Sequence, residues 1–144
     1  AFLCASGPVI DLMKNRARSL VYTTGLPPAV IGSCIAAVDI IATDSDRVAR
    51  PLRNARAFCA AVGLPAPESP IVPLVVGAEQ DALNASAALE DAGFLVTPIR
   101  PPTVPTGTSR LRFTFTAEHA DAQIDALATA VNRLDIGASR AAKA

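Results

Sequence analysis

Apolar residues recur along the chain at two periods, and each change of period marks an element. Val9, Leu12, Met13 and Arg16 share one face of a helix starting at Gly7-Pro8, where proline suits the first turn. Before it, Ala1 to Ala5 reads as a short buried strand. After it, Leu20 to Thr23 reads as a second, from its β-branched and aromatic residues. Gly25-Leu26-Pro27-Pro28 is a turn that opens a long helix, in which Val30, Ile31, Cys34, Val38 and Ile41 recur at spacings of three and four. Thr43-Asp44-Ser45-Asp46 is a capping signal that predicts a kink or restart. Val48, Leu52, Ala55, Phe58, Cys59 and Val62 carry the amphipathic pattern on to Gly63, a C-cap. The polar face, with Arg47, Arg50, Arg53, Asn54 and Arg56, reads as solvated.

Leu64 to Pro70 is a proline-rich connector. Ile71 to Val76 reads as a strand whose Pro73 suits a sheet edge. Gly77 to Gly93 reads as a helix with Ala82, Leu83, Leu89 and Ala92 on one face, and Phe94 to Ile99 as a strand. Arg100 to Ser109 holds too much Pro and Gly for a regular element. In Arg110 to Thr116 the alternation is strict: Leu111, Phe113 and Phe115 face one way, Arg110, Arg112, Thr114 and Thr116 the other. Thr116 caps a final helix with Glu118 in its first turn and Ile124, Leu127, Ala128, Val131 and Leu134 as its apolar stripe. The tail from Gly137 is expected to fray.

From Ile71 the order is β-α-β-loop-β-α, which predicts a small α+β layer, a mostly antiparallel sheet covered on one face by helices. The expected fold class is α/β with this α+β C-terminal domain. It is preceded by the last strand-helix-strand of a larger domain and a long connecting helix.

Composition narrows the function classes. In 144 residues, Lys+Arg 13 balance Asp+Glu 13, so the cationic surplus that phosphate neutralisation needs is missing, which argues against nucleic acid as a partner. Aromatics are only 4%, too few for base-stacking platforms. Cys4, Cys34 and Cys59 are far apart and His119 is the sole histidine, so neither a metal site nor a disulfide framework is indicated. Buried reduced thiols in a cytoplasmic protein are expected instead. The most apolar stretch, Ala29 to Ala42, is interrupted by Gly32, Ser33 and Asp39 and is too short to span a membrane. The N-terminus has no basic region before its apolar run and no initiator Met, so a signal peptide is not expected and a start within a longer gene product is.

Two segments carry candidate chemistry. In Ile99 to Thr116, a Pro-Pro turn leads through a loop rich in hydroxyls to a strand bearing Arg110 and Arg112 on one face. A guanidinium fork on a strand matches a carboxylate or phosphate; structural salt bridges are the equal alternative. In Leu20 to Pro28, Tyr22, Thr23 and Thr24 arrive at a helix start, where hydroxyls and free N–H groups can bind a phosphate, or simply cap the helix.

Together these segments resemble the C-terminal part of the α-oxoamine synthases, pyridoxal-phosphate enzymes of the fold-type I aminotransferase superfamily. RSLVYTTGLPPAV is similar to the family's segment after its cofactor lysine, an aromatic, Ser/Thr-Thr and a Pro-Pro helix start. IRPPTVPTGTSRLRFTFTAEH is similar to its (R/N)-x-P-T-V-P-x-G-(T/S)-x-R-(L/I)-R signature followed by A-x-H. The RPPTVP form most resembles the branch acting in biotin biosynthesis. The resemblance implies decarboxylating condensation of an amino acid, L-alanine in that branch, with an acyl thioester, pimeloyl-CoA or its carrier-protein counterpart. The cofactor pyridoxal 5'-phosphate would serve as electron sink. By the same resemblance, Arg112 holds the amino-acid carboxylate, and Thr24, with Thr23, reaches the cofactor phosphate of the neighbouring subunit in a homodimer. Thr103 and Arg100 lie where the acyl thioester enters, Arg110 is structural, and His119 is a helix-start residue. The implied domains are 1–26, the end of the large cofactor-binding domain; 27–63, the connecting helix region; and 64–144, the small domain.

One family feature is missing. The Schiff-base lysine belongs upstream of Ala1, and neither Lys14 nor Lys143 has a matching context. The 144 residues alone are therefore expected to be inactive and to form no lysine adduct with added cofactor. Relatives using glycine, such as glycine C-acetyltransferase or 5-aminolevulinate synthase, are the alternative within the family. Outside it, a non-catalytic small-molecule-binding or dimerisation module would also lack the lysine.

Overall fold

The structure, a computed structural model, describes residues 3–134. The elements are α1 (Gly7–Arg16), α2 (Arg18–Val21), α3 (Pro28–Thr43), α4 (Ser45–Val62), β1 (Ile71–Gly77), α5 (Glu79–Asp91), β2 (Thr97–Ile99), β3 (Ser109–Thr114) and α6 (Asp121–Arg133). They fall into two compact units, Ala1–Thr43 and Asp44–Ala144.

In the first unit α1 starts where Gly7-Pro8 predicts. The two expected strands are not formed. Leu3 to Ala5 are exposed and irregular, and Ala1 and Phe2 lie outside the described residues. Leu20 and Val21 belong to α2, and Tyr22 is a turn. A strand exists only as part of a ladder, and no other strand is described in this unit. Local bonds capture the donors instead, Val21 N–H to Ala17 O at 2.9 Å and Tyr22 N–H to Arg18 O at 3.2 Å. α3 opens at Pro28 as predicted and presents Ile31, Ile35, Val38 and Ile41 to solvent. No single described helix is long and apolar enough to cross a membrane.

The second unit begins with the predicted restart: the Asp44 carboxylate accepts from Arg47 N–H at 2.9 Å and caps α4. α4 closes on Gly63 at φ 72, a left-handed cap in which Leu64 N–H returns to Cys59 O at 2.8 Å. The sheet has order β1-β3-β2, with β3 antiparallel to both neighbours. Pro73 and Pro98 therefore lie on edge strands, where a missing N–H costs no ladder bond. Phe58 of α4 stacks on Phe113 and Phe115 at centroid distances of 4.8 and 5.2 Å, and Leu74, Leu89, Leu111, Ile124 and Val131 complete the core.

Several local expectations change. β2 forms only over Thr97–Ile99, because Phe94 to Val96 have no partner on β3. α6 starts at Asp121, not at Thr116: residues 116–120 make a turn in which the Thr116 hydroxyl accepts from Glu118 N–H at 3.3 Å, and Gln123 Oε1 accepts from Ala120 N–H at 2.9 Å. Ala92, expected on the apolar face of α5, is exposed beyond the helix end. Asn54 is not on a solvated face but buried. Of the thiols expected to be buried, Cys59 is, with burial pushing its pKa up, whereas Cys4 and Cys34 are exposed. The expected frayed tail lies outside the described residues.

Candidate functional site

β3 is the central strand, so its backbone is held on both sides: Arg112 is opposite Pro73 on one flank and Thr97 on the other. Leu111 and Phe113 fill the core, which turns Arg110 and Arg112 to the other face of the sheet. The two arginines then part in role. Half-buried Arg110 donates from Nε to Thr108 O at 3.0 Å and braces its own loop. Arg112 is exposed, and its side chain has no hydrogen-bond or ion-pair partner among the described residues. A guanidinium placed on a rigid strand and left unpaired is suited to a carboxylate.

Arg112 stands on the wall of a cavity of about 410 Å³. The cavity lies where β2 stops: beyond the Thr97–Arg112 pair, β3 has no neighbour on that flank, and Phe94 to Val96, unpaired with β3, line the cavity. Phe94, Val96, Phe113, Phe115, Ile124 and Leu127 supply apolar walls, and Arg112, His119 and Gln123 are among the residues at its border. His119 Nδ1 accepts from Thr116 N–H at 3.1 Å, so the neutral ring carries its proton on Nε2. The turn holding His119 is fixed from beneath. Asn54, 5% exposed, donates its amide to Thr116 O at 3.0 Å and to His119 O at 3.2 Å. Glu118 in the same turn pairs with Arg47 of α4.

The loop from Arg100 to Thr108 leaves the other end of β2. Arg100 follows Ile99, three residues beyond Thr97, so strand rise alone separates it from the level of Arg112 by about 10 Å. Its Nη1 pairs with Glu79 at 2.6 Å. Thr103 is exposed, its N–H bonded to Arg100 O at 3.1 Å.

Tyr22, Thr23 and Thr24 lie in the first unit, which has no strand among its described residues. Thr23 Oγ1 donates to Thr24 O at 3.4 Å, and the exposed Thr24 hydroxyl has no partner among the described residues. The start of α3 offers fewer backbone donors than its position suggests. Pro28 has no N–H, and Val30 and Ile31 N–H both return to Pro27 O, at 3.0 and 3.2 Å. The donors that suit a phosphate here are therefore chiefly the Thr23 and Thr24 hydroxyls. Lys14 pairs with Asp11 at 3.5 Å on the surface of α1, and Lys143 lies outside the described residues.

Asn54 and Glu79 escaped the reading of the sequence. Asn54 had a signal: it sits four residues before Phe58, inside the apolar stripe of α4, where a polar residue needs partners. Glu79 had none, because an acid in a first helical turn is explained by the helix dipole alone.

The chain matches known proteins over most of its length. The family model described as aminotransferase class I and II matches residues 1–131. The chain is 61% identical over 130 residues to an 8-amino-7-oxononanoate synthase of Methylocella silvestris, covering 90% of this chain and 37% of that protein. It is 64% identical over 131 residues to a putative 8-amino-7-oxononanoate synthase of Acidiphilium cryptum, covering 91% and 34%. Among solved structures, it is similar to a serine palmitoyltransferase from S. paucimobilis with PLP and myriocin bound, with TM-score 0.77, 28% identity, and coverage of 89% of this chain and 34% of that one. It shares the fold of an 8-amino-7-oxononanoate synthase from Francisella tularensis, with TM-score 0.72, 23% identity and coverage of 89% and 39%. The chain thus spans about a third of the length of the curated relatives it matches.

Proposed function

Because the chain belongs to the aminotransferase class I and II family, we propose that it forms part of a pyridoxal-phosphate-dependent C-acyltransferase of the 8-amino-7-oxononanoate synthase type. The net reaction joins the Cα of L-alanine to the acyl carbon of a pimeloyl thioester (on CoA or a carrier protein); carbon dioxide and the free thiol leave. When bound, the cofactor's pyridine ring supplies the electron sink that makes the amino-acid Cα nucleophilic. The residues of this chain bind and orient. Arg112 holds the amino-acid carboxylate through its planar fork. Thr24 and Thr23 donate hydroxyls to the cofactor phosphate, in the active site of the second subunit of a cytoplasmic homodimer. Thr103 and Arg100 border the path of the acyl thioester. Arg110 is a brace.

The observation that carries this reading is Arg112, unpaired among the described residues and exposed on the central strand at the wall of a cavity. The test uses the complete protein that contains this chain. Arg112→Ala removes a charge-assisted pair worth about 1.5–3 kcal/mol, so kcat/KM for L-alanine should fall on the order of 10- to 100-fold. Unchanged alanine kinetics in that variant would refute the assignment. Assays with glycine and with acetyl and succinyl thioesters separate this reading from the related glycine-using synthases.

A further inference from the structure

The loop between β2 and β3 is anchored at both ends to one place, the junction of β1 and α5. At its first residue, Arg100 Nη1 meets the Glu79 carboxylate at 2.6 Å. Near its last, the Gly107 carbonyl lies 3.9 Å from where a Cβ on Gly77 would stand. Gly77, at φ 108, follows a bulge in β1 that puts it opposite Ser109, where the loop becomes β3. Between these anchors the hydrogen bonds among the described residues are those of short turns, Thr103 N–H to Arg100 O and Thr108 N–H to Pro105 O, both at 3.1 Å, with the Thr108 hydroxyl donating to Pro105 O at 2.8 Å. The Gly107 end is secured by the adjoining ladder. The Arg100 end follows the Ile99–Arg110 pair of a three-residue edge strand, and Glu79 is the side-chain partner of Arg100 there.

We infer that Glu79 is a positioning residue: through Arg100 it holds the loop that carries Thr103 in the conformation that receives the acyl thioester. The inference rests on the function proposed above. Both side chains are about half exposed, 49% for Arg100 and 48% for Glu79, so losing the pair does not threaten the fold. It lets the loop sample other conformations, and a ligand that needs one of them binds more weakly by the fraction of time that one is lost. Arg112, held on both flanks of β3, does not share this dependence.

The test is Glu79→Gln, with Glu79→Asp as the conservative rescue, in the complete protein. KM for the acyl thioester should rise about 3- to 5-fold in Glu79→Gln and recover in part in Glu79→Asp. KM for L-alanine should stay unchanged. In about 1 M salt, where charges are screened within a few ångströms, the ratio of variant to wild-type KM should shrink toward unity. Hydrogen exchange at the Thr103 amide should quicken in Glu79→Gln, and this readout needs no catalysis. An unchanged Thr103 exchange rate overturns the inference, as does an equal rise in both KM values. A wild-type protein that condenses no acyl thioester sinks the proposed function, while the exchange measurement still decides whether Glu79 holds the loop.

Discussion

Asn54 commits both amide hydrogens to the Thr116 and His119 carbonyls of the turn that follows β3, from a position 5% exposed. Removing it leaves both carbonyls without their donor. Asn54→Ala should cost about 2–4 kcal/mol, read from the denaturant midpoint; a loss under about 0.5 kcal/mol would mean that the carbonyls find other donors. Ser109 is the opposite case. Its hydroxyl is fully buried and has no hydrogen-bond partner among the described residues. Ser109→Ala keeps the packing and deletes the orphan, so it should be neutral or stabilising by up to about 1 kcal/mol. Asp46 is an exposed example: the hydrogen bond and charge of Arg53, 2.8 Å away, hold its carboxyl below the ordinary 3.8. A carboxyl depressed by folding favours the folded state above the ordinary value, and that contribution disappears as pH falls through the lowered one. Arg53→Ala should return the Asp46 titration, followed by carboxyl NMR, to the ordinary value; an unmoved midpoint counts against the pair.

Elements were legible where their causes are local. The breaks at Pro27-Pro28, Asp44 and Gly63 follow from proline, a capping carboxylate and a left-handed glycine, each acting within one helical turn. At Gly63 the side-chain space is open, with nothing within 4 Å of where an alanine methyl would stand, so only φ 72 opposes substitution. Gly63→Ala should therefore cost about 1–2 kcal/mol, and a change near zero in thermal unfolding would show that the cap relaxes. Pro73 likewise placed β1 on an edge. The elements misread were those whose existence depends on a partner. Leu20 to Thr23 has strand composition but no strand to pair with among the described residues of its unit. Phe94 to Val96 has it too, yet pairing begins only at Thr97. Thr116 has the chemistry of a cap, but its hydroxyl closes a turn five residues before α6 begins.

At the scale of the molecule, the two units differ in what they bury. The second has a continuous core around Phe58, Leu111 and Val131, whereas no residue of α1, α2 or α3 is buried. α3 exposes Ile35, Val38 and Ile41 at 59, 63 and 63%, a surface of the kind that other protein normally covers. The 144 residues by themselves should bind an apolar dye and associate as concentration rises, and light scattering that stays monomeric would contradict this. The shared active site proposed above makes a separate claim. If Thr24 serves one site and Arg112 the other, mixed dimers of Arg112→Ala and Thr24→Ala subunits contain one site with both residues intact. Remixing the two variants should then restore activity beyond their average, and no gain would place both residues in the same site.

The breaks at Pro27-Pro28, Asp44 and Gly63, the edge position of β1, the two-faced β3 and the two segments that carry the family resemblance all follow from residues within a turn or a pleat of one another. Contact partners obey no such range. Asn54 reaches Thr116 and His119 across 62 and 65 positions, Arg100 reaches Glu79 across 21, and the cavity beside Arg112 lies where β2 stops. The identity of Arg112 as a candidate could be read from its alternation along a strand. That it is unpaired among the described residues, while Arg110 and Arg100 are not, depended on which groups folding brought within hydrogen-bond reach.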